Sequence, residues 1–213
     1  MNPNQVGPEP LGVVWRLARP ALARANAPAP LSRFGWIESE QAGELARAIG
    51  GAALPVVASR LAAGRRCCAA WADGQLAAWG WVSFGTEHVG ELGLQVRLRP
   101  DEAYIWDCAT GPTFRRRGLY TALLAHMAHA LLDEGMAVIW IGADYNNAPS
   151  QAGIRGAGFS AVADLVAAAP RAGEHRRRTW MVARPGIGPD LLADARRVYL
   201  DAREEVWLFD ASG

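Results

Sequence analysis

Short apolar runs separated by turn residues fill the middle of the chain and predict four strands. Asp73-Gly74, a dipeptide that favours tight hairpin turns, separates the first two runs. A second turn is predicted around Pro100-Asp101. The expected strands cover Cys67–Trp71, Leu76–Phe84, Gly90–Leu98 and Ala103–Thr110.

The next stretch changes to helical periodicity. Large apolar residues recur every four positions, which predicts a helix over Leu119–Glu134 ending at Gly135; they are Leu119, Leu123, Met127 and Leu131. The apolar run Ala137–Gly142 then predicts a buried strand. A strand, a glycine-bearing loop, a helix and another strand in this order predict a right-handed crossover between parallel strands.

The sequence predicts that the chain has three parts. Residues 1–33 carry many prolines and are expected to form an irregular N-terminal arm. Residues 34–185 form the main domain, with further strands over Phe34–Ile37, Phe159–Val166 and Arg178–Ala183 and helices over Ser39–Ile49, Pro55–Ala63 and Pro149–Ala157. Residues 186–213 are expected to form a helical extension.

The extension is predicted as a helix over Pro189–Glu205 followed by the apolar run Val206–Phe209. Packing of this run against the chain's own domain is favoured over a homodimer contact.

Composition excludes several classes of function. The chain has 213 residues and a net charge of +1, so nothing in the overall charge favours nucleic acid or an anionic membrane as a partner. All 22 basic residues are Arg, which excludes Schiff-base and lysine-base chemistry. A basic run, Arg176–Arg178 with Arg171 and His175, is interpreted as a solvated turn, with binding of an acidic acceptor or of a phosphorylated or nucleotide-linked sugar as the alternative.

The three cysteines, Cys67, Cys68 and Cys108, have no CxxC spacing and no His at ligand spacing, so neither a metal site nor a disulfide framework is predicted. The first residues show no signal-peptide pattern, and no run approaches about 18 apolar residues. A cytoplasmic protein is therefore expected.

The loop before the long helix has the features of an anion site. Arg115-Arg116-Arg117-Gly118 leads into the first turn at Leu119-Tyr120. The first N–H groups of a helix lack intrahelical partners and lie at the positive end of the helix dipole. Gly118 lets an anion approach the backbone closely, and the Arg side chains add positive charge.

This segment resembles the pyrophosphate motif of GNAT acetyltransferases: an Arg or Gln, two variable residues, Gly, a variable residue and a small residue. Arg115 and Gly118 match, and Pro112 stands where the family often has proline. Asn147, eleven residues before Gly158-Phe159, resembles the family's second signature. Two motifs in the correct order are more specific than either alone.

The resemblance implies a mixed α/β (α+β) fold. Its central sheet is mostly antiparallel, with flanking helices and a crossover from the family's fourth strand through its third helix to its fifth strand. It also implies an acetyl-CoA-dependent N-acetyltransferase that acts on a small-molecule amine and uses no metal. The implied coenzyme-binding residues are Ala109, Thr110, Gly111, Arg115, Arg116, Arg117, Gly118, Leu119, Tyr120, Asn147 and Ser150.

Two positions depart from the family pattern. Tyr120 stands where a small residue is expected, and Ile154 stands where many relatives carry the tyrosine that protonates the leaving thiolate. Water is expected to supply the proton instead, with Tyr145, the nearby phenol, as the alternative acid. Because the usual acid is missing, a non-catalytic acyl-CoA-binding module of the same fold stays open as a second function.

In relatives, a splay between the two crossover strands exposes main-chain N–H groups to the thioester, which implies donors between Ala109 and Gly111. Asp107, a carboxylate in an apolar strand, is expected to hold and deprotonate the amine, because an unpaired carboxylate there is costly to desolvate. A structural role is the alternative, with Glu87, His88 and Glu91 as the other candidates for the base.

Overall fold

A computed structural model describes residues 8–18, 33–50, 53–89, 94–168 and 178–201. Over these residues the secondary structure consists of two sheets, five α-helices and two short 3-10 helices. The helices are α1 Ala42–Ile49, α2 Leu54–Ala62, α3 Leu119–Asp133, α4 Ala148–Gly156 and α5 Pro189–Val198. The strands are β1 Glu9–Ala18, β2 Arg33–Trp36, β3 Arg66–Ala72, β4 Gln75–Ser83, β5 Thr86–Val89, β6 Leu94–Arg97, β7 Glu102–Thr110, β8 Val138–Asp144, β9 Ser160–Ala168, β10 Arg178–Ala183 and β11 Tyr199–Asp201.

The main sheet has eight strands in the order β10-β9-β1-β8-β7-β4-β3-β2. Its neighbouring strands pair antiparallel except β7 and β8, which are parallel and joined by α3. The predicted mixed fold, mostly antiparallel and with one helical crossover, is confirmed.

The two faces of this sheet carry different helices. On one face, the buried side chains of α3 and α4 pack in a single cluster that includes Leu123, Met127 and Ile154. On the other face, α1 and α2 pack near the β3–β4 end and α5 packs near β9 and β10. The predicted apolar positions of α3 all point into the core, because Leu119, Leu123, Met127 and Leu131 are buried.

The prediction of an irregular arm over residues 1–33 is wrong for Glu9–Ala18. Glu9–Ala18 forms β1, which lies between β8 and β9 and pairs with both. Proline is compatible with a strand at this position. Pro10 lies near the start of β1, beside a shift in the register between β1 and β9, where a missing backbone N–H is tolerated. The buried side chains of Val13, Trp15 and Leu17 then anchor the strand.

The C-terminal helix is shorter than predicted. It ends at Val198, and Tyr199–Asp201 forms β11, which pairs with β6 in a three-stranded sheet with β5. Burial of Val198 and Tyr199 against the main sheet outweighs the helical periodicity of this stretch. The predicted strand Gly90–Leu98 is described as β6 alone, since residues 90–93 lie outside the described ranges, as does the run Val206–Phe209.

A bulge in β7 lies opposite Gly80 of β4. The pairing register shifts because two residues, Asp107 and Cys108, stand opposite the single residue Gly80. A Cβ on Gly80 would lie 2.7 Å from Cys108 Sγ and 3.1 Å from Met127 Sδ, so the residue must lack a side chain.

We therefore expect Gly80→Ala to lower the free energy of unfolding by about 1–3 kcal/mol, the usual cost of overpacking a core. Gly35→Ala is the matched control, because a Cβ there would meet only Trp71 at an ordinary 3.8 Å. Urea unfolding of both variants measures the effect. Equal stability of the two variants would contradict the close packing at the bulge.

Candidate functional site

The crossover strands part near the middle of the main sheet. β7 and β8 pair only from Glu102 with Val138 to Ile105 with Ile141. Beyond that point β7 follows β4, and β8 follows β1 through Gly142, Ala143 and Asp144. The two strands thus leave a wedge-shaped opening in the sheet, as the family resemblance implied.

A cavity of about 510 Å³ occupies this opening. Side chains from both faces of the sheet line it, so the cavity passes from one face to the other. The lining residues are Gly12, Val13, Val14, Arg60, Glu87, His88, Val89, Tyr104, Trp106, Asp107, Cys108, Tyr120, Ile141, Gly142, Ala143, Asp144, Asn147, Ser150, Leu165 and Tyr199. Three of them come from β1, which the sequence analysis had not placed in the sheet.

Backbone alternation decides which main-chain N–H groups face the opening. Gly111 donates its N–H to the carbonyl of Ala77 at 2.8 Å, so it is not the free donor that the sequence analysis allowed. Because antiparallel hydrogen bonds alternate along a strand, the N–H of Ala109 also faces β4, and that of Thr110 faces away from β4. Thr110 Oγ1 is buried without a hydrogen-bond partner among the described residues.

The loop before α3 presents its backbone to solvent. Gly118 has φ +75° and precedes the helix, and a Cβ built on it would meet no atom within 4 Å. The first helical hydrogen bond runs from Ala122 to Gly118, so the earlier N–H groups of Leu119 and Tyr120 have no partner within the helix. Such N–H groups at a helix N-terminus can bind an anion.

The three Arg side chains of this loop differ in their surroundings. Arg115 lies nearest the end of β7, with Nε 3.4 Å from the carbonyl of Thr110. Arg117 forms an ion pair with Asp73 at 2.8 Å, which raises the pKa of Arg117 and lowers that of Asp73. Arg116 has φ +62°, a left-handed conformation that is uncommon for a residue with a side chain.

Asn147 and Ser150 lie at the start of α4 and line the cavity. Asn147 caps the helix, because its side-chain oxygen accepts the N–H of Ser150 at 3.1 Å. Ser150 Oγ in turn lies 2.7 Å from the hydroxyl of Tyr120. Residues of the pyrophosphate motif and of the second signature therefore meet at one wall of the cavity.

Tyr120 fits into this wall because α4 carries Gly153. A Cβ on Gly153 would lie 2.4 Å from the Tyr120 ring. Burial raises the pKa of Tyr120 above its ordinary value, with Cys108 adding to the rise and the hydrogen bond with Ser150 opposing it. Ile154 is fully buried, whereas Tyr145 is 39% exposed and does not line the cavity.

Asp107 lies at the bulge with φ +45° and lines the opposite wall. The carboxylate is paired within the protein, because Arg60 Nη1 donates to Oδ2 at 2.5 Å, which agrees with the structural alternative for this residue. The Asp107 side chain is also 47% exposed, so it does not carry the desolvation cost on which the prediction rested. Arg60 comes from α2, 47 residues earlier, and no local pattern could have indicated the pair.

Glu87 is the buried carboxylate of this wall. Burial alone would raise its pKa, but bonds from Arg65, Ser83 and the His88 N–H outweigh that effect and hold the pKa below its usual value. A carboxylate held ionised by so many donors is a poor base. His88, its neighbour on β5, lies near Gln95 at 3.5 Å.

No cysteine thiolate is available in the described part of the chain. Burial raises the pKa of Cys68 to about 12 and raises those of Cys67 and Cys108 further. These thiols stay protonated at neutral pH and are weak nucleophiles. Within the same residues, no three His, Cys, Asp or Glu side chains group closely enough to hold a metal ion, and no helix is long and apolar enough to cross a membrane.

Comparison with known families decides the assignment. A sequence profile described as Acetyltransferase (GNAT) family matches residues 33–177. The chain belongs to the GNAT acetyltransferase family. The match starts after β1 and ends before α5, so the GNAT core here is completed by segments on both sides of it.

Two solved GNAT structures share the fold. An acetyltransferase of the GNAT family from Colwellia psychrerythraea superposes with a TM-score of 0.58 at 15% identity, over 76% of this chain and 57% of that one. A tandem GNAT protein from the clavulanic acid biosynthesis pathway gives 0.50 at 22% identity, over 71% of this chain and 50% of that one. The chain thus spans about half the length of these relatives. A search of curated proteins finds no significant match.

Proposed function

We propose that this GNAT protein transfers the acetyl group of acetyl-CoA to the primary amine of a small molecule by direct attack. The observation that carries the proposal is the cavity at the parting of β7 and β8, which is lined by Tyr120 from the first turn of α3 on one side and by the polar side chains of Glu87, His88 and Asp107 on the other. Acetyl-CoA supplies an activated acetyl thioester. The residues described above are compatible with acetyl-CoA. The backbone at Gly118 is accessible to an anion, and Thr110 carries a buried hydroxyl without a hydrogen-bond partner among the described residues.

The chemistry requires one bond to form and one to break. The amine nitrogen bonds to the acetyl carbon, the carbon–sulfur bond breaks, its electron pair leaves with sulfur, and sulfur takes up a proton. In this proposal the N–H of Thr110, which faces away from β4, stabilises negative charge on the carbonyl oxygen. Asp107 holds the acceptor's ammonium beside that point and takes its proton through water.

Tyr120 supplies the proton for the leaving sulfur in this proposal. Its hydroxyl lies in the cavity wall formed by α3 and α4, and a phenol carries its proton at neutral pH. Tyr145, the candidate from the sequence, lies outside that wall.

We expect Gly118→Asp to weaken acetyl-CoA binding by more than about a hundredfold, because it adds a negative side chain where the pyrophosphate meets backbone N–H groups. Arg115→Ala removes one charge-assisted contact and should cost about tenfold to a hundredfold. Gly186→Asp is the matched control, since Gly186 has a similar φ of +82° and also meets no atom within 4 Å. Calorimetric titration measures all three, and parental affinity in Gly118→Asp would show that the coenzyme binds elsewhere.

Asp107→Asn keeps the side-chain shape and removes the charge. We expect kcat/KM for the acceptor amine to fall by about a hundredfold while acetyl-CoA affinity stays unchanged. Release of free thiol from acetyl-CoA with a panel of primary amines measures turnover. Full activity in the variant would leave Asp107 with a structural role, and no turnover by the parent with any amine would favour the non-catalytic module.

Tyr120→Phe should lower kcat by about 10²–10⁴ without weakening acetyl-CoA binding, as expected for removal of a general acid. Ser150→Ala breaks the same hydrogen bond but leaves the proton, so its kcat should stay within about tenfold of the parent. Tyr145→Phe should also lower kcat by less than about tenfold. Equal losses in Tyr120→Phe and Ser150→Ala would mean that the pair only positions the wall.

A further inference from the structure

Arg60 stands out among the cavity residues. It lies in the last turn of α2, and its guanidinium sits over the rings of Trp106 at 4.5 Å and Trp81 at 5.1 Å. Its Nη1 group donates a hydrogen bond to Asp107, and 24% of the side-chain surface is exposed. Two indole rings and one carboxylate thus hold the guanidinium in place at the cavity wall.

Most of the donors on Arg60 are still open. A guanidinium carries five N–H donors in a flat fork that fits a carboxylate with two parallel bonds. Among the described residues, Arg60 uses only Nη1 in a hydrogen bond, so the edge formed by Nε and Nη2 is available to a ligand. Arg65, which also approaches Trp106 at 5.8 Å, differs because both Nε and Nη2 are bound to Glu87.

Two opposite charges therefore lie side by side in one wall. The carboxylate of Asp107 is half exposed and can take an ammonium, while the open edge of Arg60 can take an anion a few ångströms away. A singly charged anion suits the site better than a phosphate, since the lining also contains Glu87 and Asp144 and Arg60 is its one Arg. These charges are complementary to a zwitterion.

We infer that the acceptor is an amine that also carries a carboxylate within a few bonds, as an amino acid does, and that Arg60 binds this carboxylate while Asp107 binds the ammonium. The inference rests on the proposed function for the chemistry, but the contact between Arg60 and the carboxylate can be tested by binding alone.

The test is titration of the protein, saturated with coenzyme A, with a panel of N-acetylated amino acids and their carboxamides. We expect at least one free acid to bind about tenfold to a hundredfold more tightly than its amide, the usual worth of a charge-assisted contact. Arg60→Gln should remove this preference, and Arg60→Lys, which keeps the charge without the fork, should retain part of it.

Arg66→Gln is the matched control. Arg66 also forms an ion pair, with Glu134, and lies 3.9 Å over the ring of Trp36, but it does not line the cavity. The preference for the acid should survive in this variant. Binding of every amide as tightly as its acid, or an unchanged preference in Arg60→Gln, would overturn the inference. A preserved preference without thiol release from acetyl-CoA would support the inferred anion site and contradict the proposed reaction instead.

Discussion

The parting of β7 and β8 after Ile105 and Ile141 is the constraint on which the site depends. Two neighbouring strands stay together only while each exchanges hydrogen bonds with the other. Here β7 carries a bulge at Asp107 and stays paired with β4, while β8 stays paired with β1. Gly80 permits the bulge, because any side chain there would collide with Cys108. The cavity is thus a consequence of strand pairing, and the residues around it are placed by that geometry.

The crossover was predictable because its signals are local. The apolar spacing of α3, the buried run of β8 and the glycine at the start of the helix each lie within a few residues of the structure that they specify. The open backbone at Gly118 and the helix cap at Asn147 follow from the same short segments. Such features need no knowledge of the distant parts of the chain.

The elements that the sequence did not reveal are those defined by a distant partner. β1 is a strand because β8 and β9 lie on both sides of it, more than 120 residues away along the chain. β11 is a strand because β6 offers an edge to Tyr199–Asp201, although the preceding residues favour a helix. The ion pair of Arg60 with Asp107 also joins residues that are distant along the chain, and so no motif in the chain pointed to Arg60.

The two departures from the family pattern have a common physical explanation. In sequence, Tyr120 looked too large for its place and Ile154 looked like the loss of an acid. The structure shows that Gly153 provides the space that Tyr120 fills, and that Ser150 bonds to its hydroxyl. A large residue on α3 is therefore matched by a glycine on α4, since a side chain at both positions could not fit. The phenol of Tyr120 consequently reaches the cavity from α3, while Ile154 on α4 is an apolar core residue. The missing tyrosine on α4 is therefore not by itself a reason to expect an inactive protein.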